Sequence, residues 1–172
     1  TAIVTGAGRG LGAAVAVGLA EYGAKIAAID LSPDRCAKTV SQIAALGGSC
    51  ECFGCDVSDY NAVCETVKKI SSVFPSVDIL ANIAGITARV PTPDIPVETV
   101  KRITEVNYYG TFWMCKEVGR LMLKQGHGNI VNMSALGGGF LGTGRGNTAY
   151  SSTKGAIASL TKELACEWGD KG

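Results

Sequence analysis

The 172-residue sequence has a single histidine, almost no net charge and no long apolar run, and each shortage excludes a class of function. With only His127, which lies in the Gly-rich turn KQGHGN, no Ser–His or Cys–His catalytic triad can be assembled. A formal net charge of +1 argues against a nucleic acid or a membrane surface held by long-range electrostatics. No apolar run approaches the ~18 residues that a membrane-spanning helix requires. Hydrophobic residues make up 47% and charged residues 18%, a balance typical of one folded α/β domain over residues 1–172.

The cysteines, by contrast, are numerous. There are seven, spread through predicted helices and strands: Cys36, Cys50, Cys52, Cys55, Cys64, Cys115 and Cys166. An odd number scattered in this way suggests reduced thiols and a cytoplasmic location. The cluster C-E-C-F-G-C at 50–55 is a candidate metal site, but no second cysteine pair accompanies it. We therefore expect no metal, and we expect Cys50 and Cys52 to share one face of a strand.

The first thirty residues follow the pattern strand, Gly-rich turn, helix, strand, acid. An apolar run from Ala2 to Thr5 leads into glycines at positions 6, 8, 10 and 12, a helical pattern follows, and an apolar run from Lys25 to Ile29 ends at Asp30. Glycine permits the tight turn through which backbone N–H groups approach a pyrophosphate at the positive end of a helix. An acid after the second strand accepts hydrogen bonds from the ribose hydroxyls of NAD and repels the 2′-phosphate of NADP. The pattern predicts a dinucleotide site, and a methyltransferase loop for S-adenosylmethionine is the main alternative.

Strands and helices alternate along the rest of the chain. This alternation predicts a Rossmann-type, doubly wound parallel sheet with helices on both faces. The predicted elements are a helix to about Leu46, a strand over Ser49–Phe53, a helix over Asp59–Phe74, a strand over Val77–Asn82, a helix over Val97–Gln125, a strand over Asn129–Ser134 and a helix over Thr148–Asp170. The segment 135–147 contains six glycines and predicts a mobile loop.

Tyr150 and Lys154 stand four residues apart in the last predicted helix, and they therefore lie on the same face. The positive charge of the ammonium would favour the phenolate form of Tyr150, which makes this tyrosine a candidate general acid/base for a hydroxyl proton. Such pairs also occur on many surface helices. The dinucleotide pattern at the other end of the chain gives this one its significance, whereas the methyltransferase alternative offers no reason for it.

In order and spacing, these motifs resemble those of the short-chain dehydrogenase/reductase family. Residues 5–12 match its TGxxxGxG loop, Asp56-Val57 its adenine-contacting DV, residues 82–85 its NNAG strand end with Ile in second place, Asn107 its helical asparagine, and Tyr150 with Lys154 its YxxxK pair. The resemblance covers essentially the whole chain. It implies a cofactor site formed by Gly6, Arg9, Gly10, Leu11, Gly12, Asp30, Leu31, Asp56, Val57, Asn82, Ala84, Gly85, Tyr150 and Lys154.

The same resemblance implies an oxidoreductase that transfers a hydride between NAD(H) and a secondary alcohol or ketone, with Tyr150 exchanging the proton. Lys154 would assist the tyrosine and hold the nicotinamide ribose, while Asn107 would kink its helix and position a water that links the lysine to solvent. NAD is expected rather than NADP because of Asp30, and Arg9 and Arg35 are the nearby residues that could reverse the preference. A catalytically silent, redox-sensing dinucleotide-binding protein is the alternative.

The substrate is left open by the resemblance. A sugar, a polyol, a steroid-like alcohol and a 3-oxoacyl compound all remain candidates. The residues that select it would lie in the loops at 86–96 and 135–147.

The family's carbonyl-polarising serine is matched less well. In the family it is the second residue of an Ile-Ser-Ser-like strand ending, whereas here Ser134 holds the first place and Ala135 the second. One step along a strand turns a side chain to the opposite face. We expect the strand end to twist so that Ser134 is presented; otherwise the hydroxyl comes from elsewhere, such as Thr143, or is absent.

Two further expectations rest on the resemblance. The family's later strands and substrate-covering segment have no counterpart before Gly172, so we expect the chain to be part of a longer protein. The helices Val97–Gln125 and Thr148–Asp170 form a dimer or tetramer interface in relatives, which implies a homo-oligomer. An apolar stripe on the last helix fits either that interface or this protein's own sheet: Ile157, Leu160, Leu164 and Trp168.

Overall fold

The computed structural model describes residues 1–136, 142 and 144–172. Within this part of the chain, parallel strands form one sheet in the order β3-β2-β1-β4-β5. The strands are β1 (Ala2–Thr5), β2 (Ile26–Asp30), β3 (Cys50–Gly54), β4 (Ile79–Asn82) and β5 (Asn129–Asn132). The helices are α1 (Gly10–Glu21), α2 (Ala37–Ala45), α3 (Tyr60–Val73), α4 (Val97–Thr104), α5 (Gly110–Gln125) and α6 (Thr148–Trp168). The predicted doubly wound parallel sheet is confirmed.

β1 is buried along its whole length, and β2 is buried except at Asp30, its last residue, because helices cover both faces of the sheet. On one face Ile3, Ile29 and Leu80 pack with buried side chains of α3 and α5. On the other face Val4 and Ala28 pack with buried side chains of α1 and α2. Alternate residues of each strand therefore enter opposite core layers.

The strand register brings the carboxyl ends of the strands to one edge of the sheet. Thr5 at the end of β1 pairs with Ile29 on one side and with Asn82 on the other, and Asn82 pairs in turn with Asn132. The order reverses at β1, since β2 and β3 lie on one side of it and β4 and β5 on the other. Such a reversal opens a crevice at the carboxyl ends, which is where ligands bind in open α/β sheets.

The helix predicted over Val97–Gln125 is interrupted. A π-helical turn over Glu105–Tyr109 separates α4 from α5, with Asn107 fully buried at its centre. π-Turns inside helices are frequent at functional sites. The departure from regular helix thus lies at the asparagine for which a kink was expected.

Two further groups of apolar residues noted in the sequence, the cysteines of β3 and the stripe on α6, pack within the fold. Cys50 and Cys52 both pack against the layer formed by α1 and α2, as predicted for one face of a strand. On α6, Ile157 is fully buried, and Trp168 lies so close to Gly119 of α5 that a Cβ there would come within 2.7 Å of its ring. One end of the α6 stripe is therefore buried within this protein's own fold, and the other, half-buried end packs against α5. In the described residues no helix is long and apolar enough to cross a membrane.

Candidate active site

A cavity of about 590 Å³ opens where the strands of the sheet end. Segments that follow all five strands contribute to its walls, and so does the start of α6. All of the predicted site residues line it except Asn82, Asn107 and Ser134. The structure thus brings the two ends of the sequence pattern, the glycine turn and the Tyr–Lys pair, to one site.

The glycine turn between β1 and α1 is shaped for close approach to a ligand. Gly6 and Gly10 have positive φ angles of 67° and 56°, which side chains rarely adopt. A Cβ at Gly12 would overlap the carbonyl oxygen of Gly6. Arg9 precedes α1 without a side-chain cap, and the first turn of the helix contains no acid. Its free N–H groups and the helix dipole therefore fit a pyrophosphate.

Asp30 at the end of β2 is held in place by backbone donors. Its Oδ2 accepts from Gly8 N at 3.0 Å and its Oδ1 from Leu31 N at 2.8 Å. Arg35 lies on the rim, with Nη1 3.3 Å from Oδ1. A carboxylate fixed at this position fits the hydroxyls of a ribose.

Asp56 carries a second fixed carboxylate, on the segment after β3. It accepts hydrogen bonds from the Ser58 hydroxyl at 2.6 Å and from Arg102 Nη2 at 2.8 Å. Burial works to raise the pKa of Asp56, but the hydrogen bonds from Ser58 and Arg102 outweigh burial and lower it. Arg102 also lines the cavity. Its pairing with Asp56 could not be predicted from a local motif, because the two residues are 46 positions apart in the sequence.

Lys154 is a buried cation beside Tyr150. The residue is 2% exposed, its Nζ lies 5.7 Å from the centre of the Tyr150 ring, and it donates to the backbone carbonyl of Met133 at 2.6 Å. Burial lowers the pKa of Lys154 from 10.5 to about 8. A Cβ at Gly85 would lie 3.7 Å from this Nζ, so the glycine lets the segment after β4 run close beside it.

Asn107 does not line the cavity but holds its wall. Its Oδ1 accepts from Ile86 N at 2.8 Å, and its Nδ2 donates to Ile86 O at 2.9 Å and to Thr153 Oγ1 at 3.2 Å. Both Nδ2 hydrogens are thereby used. The side chain fixes the segment after β4 against α6, a role that the sequence did not indicate.

Ser134 does not occupy the position that was expected for it. Its hydroxyl donates to the backbone carbonyl of Lys154 at 2.9 Å, and Met133, not Ser134, lines the cavity. In this structure the Ser134 hydroxyl lies against the backbone of α6 and not in the cavity lining. The physical reason is the one-place offset, since neighbouring side chains of an extended segment point to opposite sides. Thr143, the other candidate hydroxyl, lies outside the described residues.

Asn82 is buried beneath the residues that line the cavity. It is 3% exposed, and its Nδ2 donates to Asn132 Oδ1 at 2.9 Å and to Cys115 Sγ at 3.3 Å. These contacts tie the end of β4 to β5 and to α5. The asparagine therefore shapes the cavity without lining it.

The two loops assigned to the substrate meet at the cavity, and each contributes a residue that sequence reasoning missed. Val90 N donates to Gly146 O at 3.0 Å, which joins the loops. Arg89 from one loop and Asn147 from the other line the cavity. Asn147 precedes α6 without capping it, and its Oδ1 is buried with no hydrogen-bond partner in the part of the chain that the structure describes.

Metal chemistry receives no support from the cysteine cluster. The described residues contain no group of three histidine, cysteine, aspartate or glutamate side chains that could hold an ion. Burial raises the pKa of the Cys50 thiol in this cluster to about 12, and that of the Cys36 thiol nearby to about 12 as well. His127 lies away from the cavity, with Nε2 3.2 Å from Asp78 Oδ1.

The chain matches known proteins along its whole length. The family model described as short chain dehydrogenase matches residues 1–172. D-threitol dehydrogenase from Mycolicibacterium smegmatis is 35% identical over 171 residues, which are 99% of this chain and 65% of that protein. The 2-dehydro-3-deoxy-L-rhamnonate dehydrogenase (NAD(+)) from a Sphingomonas species is 38% identical over 173 residues, 99% of this chain and 67% of that protein.

A solved structure agrees with these relatives. The crystal structure of an NAD⁺-bound xylitol dehydrogenase has a TM-score of 0.94 at 33% identity, covering 99% of this chain and 65% of the other. The chain thus spans about two thirds of the length of the proteins it matches.

Proposed function

Because the chain belongs to the short-chain dehydrogenase family, we propose that the whole protein transfers a hydride between NAD and a secondary alcohol or ketone. The observation that carries the proposal is that Tyr150 and Lys154 open into the same cavity as the glycine turn and Asp30. Family membership leaves no place for the S-adenosylmethionine alternative. Relatives named for D-threitol, xylitol and 2-dehydro-3-deoxy-L-rhamnonate favour a polyol or a sugar acid as substrate.

In this proposal the residues around the glycine turn bind the dinucleotide. The turn and the start of α1 hold the pyrophosphate, Asp30 accepts from the adenosine ribose, and Asp56 with Val57 contacts the adenine. A bound nicotinamide would supply or accept the hydride. NAD is favoured because the Asp30 carboxylate repels a 2′-phosphate.

Tyr150 moves the hydroxyl proton. During oxidation it removes the proton from the alcohol, and during reduction it returns it to the carbonyl oxygen. Lys154, whose Nζ lies 5.7 Å from the centre of the tyrosine ring, holds the nicotinamide ribose hydroxyls. Asn107 has a positioning role: its hydrogen bonds to the backbone of Ile86 keep the neighbouring Gly85 beside Lys154. We assign Ser134 to holding α6 against the segment after β5 and not to the substrate.

Assembly and location are part of the proposal. Tyr108, Tyr109, Phe112 and Trp113 form a cluster of aromatic rings where α4 passes into α5, and Tyr109 is 44% exposed. We propose that the homodimer or homotetramer forms through this region.

Seven free cysteines favour a reducing compartment, which we take to be the cytoplasm.

The test is a turnover assay on the full-length protein. NADH formation would be followed by absorbance with a panel of polyols, sugar acids and other secondary alcohols, with NADP as the competing cofactor. Turnover with NAD supports the proposal. Tight NAD binding without turnover of any alcohol or ketone would contradict it and would point to a dinucleotide sensor.

A further inference from the structure

The cavity contains more positive than negative charge. Its charged lining residues are five cations and two carboxylates: Arg9, Arg35, Arg89, Arg102, Lys154, Asp30 and Asp56. Each carboxylate already has a cationic partner in the protein, at 3.3 Å for Arg35 with Asp30 and 2.8 Å for Arg102 with Asp56. The surplus is therefore carried by Arg9, Arg89 and Lys154.

Two of these three cations have a place in the proposed function. Arg9 stands at the start of α1, beside the turn that fits a pyrophosphate, and Lys154 stands beside the proton-transferring Tyr150. Arg89 has no such place. Among the residues that the structure describes, it makes no hydrogen bond or ion pair. An arginine that lines a cavity without a partner is available to a ligand anion.

The position of Arg89 indicates which ligand that is. Its loop is fixed at Ile86 by Asn107 and at Val90 by the backbone of Gly146. Farther along, Thr92 Oγ1 lies 3.1 Å from Thr148 Oγ1, at the beginning of α6. These contacts hold the Arg89 loop beside the first turn of α6, which carries Tyr150. The carboxylates that fit the adenosine half lie instead at the end of β2 (Asp30) and after β3 (Asp56). Arg89 therefore lines the cavity from a loop at the end that carries Tyr150.

Asn147 supplies a second polar group at the same end. An asparagine that precedes a helix usually accepts a hydrogen bond from the first helical turn, but Asn147 does not. Its Oδ1 is buried and has no hydrogen-bond partner within the described part of the chain. Because this oxygen is shielded, we assign Asn147 to the wall at this end of the cavity and not to a contact with the ligand.

We propose that the substrate is a polyhydroxy carboxylate, a sugar acid and not a neutral polyol, and that Arg89 binds its carboxylate. This inference rests on the proposed function. The planar guanidinium can donate two parallel hydrogen bonds to a carboxylate, and the cationic surplus attracts an anion into the cavity.

The test compares two substrates of matched length, gluconate and sorbitol, in the full-length protein at saturating NAD. We expect kcat/KM for gluconate to exceed that for sorbitol, and Arg89→Gln to lower the gluconate value about 10- to 100-fold while changing the sorbitol value little. Arg89→Lys keeps the charge and should retain part of the preference. Arg120→Gln is the matched control, because Arg120 is an exposed cation on α5 that does not line the cavity; it should leave the preference unchanged.

A preference for sorbitol, or a gluconate preference that survives Arg89→Gln, would overturn the inference and leave the oxidoreductase proposal intact. Calorimetric binding of gluconate to the protein–NAD complex gives a readout that does not depend on turnover. If no alcohol were oxidised, the proposed function would fail, yet binding would still decide the inference. Weaker gluconate binding in Arg89→Gln would support it, and equal binding would contradict it.

Discussion

The Lys154 ammonium donates to the backbone carbonyl of Met133 at 2.6 Å, and the backbone carbonyl of Lys154 accepts from the next residue of that segment, Ser134. These two hydrogen bonds clasp the segment after β5 to α6. The clasp fixes the buried cation relative to the end of the sheet, where the cavity lies.

Replacement of Ser134 tests this structural role. We predict that Ser134→Ala lowers the free energy of unfolding by about 1 kcal/mol, because one hydrogen bond between the segment and the helix is lost. Turnover should change by less than about tenfold, whereas loss of a donor to the reacting oxygen costs about 10²–10³-fold. Urea unfolding and steady-state kinetics measure the two effects. A large loss of kcat with unchanged stability would place Ser134 at the reaction centre.

The burial of Lys154 predicts a pH dependence of stability. Because its pKa falls from 10.5 to about 8, the folded protein releases this proton before the unfolded chain does. Between about pH 8 and pH 10.5 the unfolded state binds more protons, so the contribution of Lys154 to stability is unfavourable below this window and improves as pH rises through it.

The Lys154→Met variant isolates that contribution. We predict that its free energy of unfolding relative to wild type falls by a few kcal/mol from pH 8 to pH 10.5, because only wild type loses a buried charge. Lys68→Met, at an exposed position on α3, is the control and should show no such trend. A constant difference between Lys154→Met and wild type across this range would show that the ammonium is not desolvated in the fold.

Cofactor choice depends on the balance between Asp30 and the arginines near it. We predict that Asp30→Ala weakens NAD binding about tenfold or more, since the ribose loses a charged acceptor, and strengthens NADP binding because the repulsion is removed. Arg35→Ala should act in the opposite direction and favour NAD further. Fluorescence titration with NADH and NADPH gives both dissociation constants. Tighter NADPH than NADH binding by wild type would contradict the assignment of Asp30.

The sequence predicted those parts of the site whose geometry is local. The glycine turn, Asp30 at a strand end and the i, i+4 spacing of Tyr150 and Lys154 each lie within one or two elements, so short-range pattern rules apply to them. The parallel sheet followed from the alternation of strands and helices.

Other features depend on packing between distant segments. Arg102 reaches Asp56 across 46 positions, and Arg89 enters the cavity because the backbone of Val90 meets that of Gly146. The π-turn at Asn107 separates two helices where apolar periodicity predicts one. The side chain of Ser134 packs against the backbone of Lys154, and its orientation depends on a shift of one residue along the segment after β5. The family pattern alone left that orientation open.

The most direct test of the account is the effect of Tyr150→Phe on NADH formation by the full-length protein with its best alcohol substrate. We predict a loss of kcat/KM of about 10²–10⁴-fold, because the proton acceptor is removed, with NAD affinity and the free energy of unfolding little changed. Tyr22→Phe, at a position 93% exposed, is the matched control and should behave as wild type. Turnover by Tyr150→Phe as fast as wild type would contradict the assignment of Tyr150 as the general acid/base.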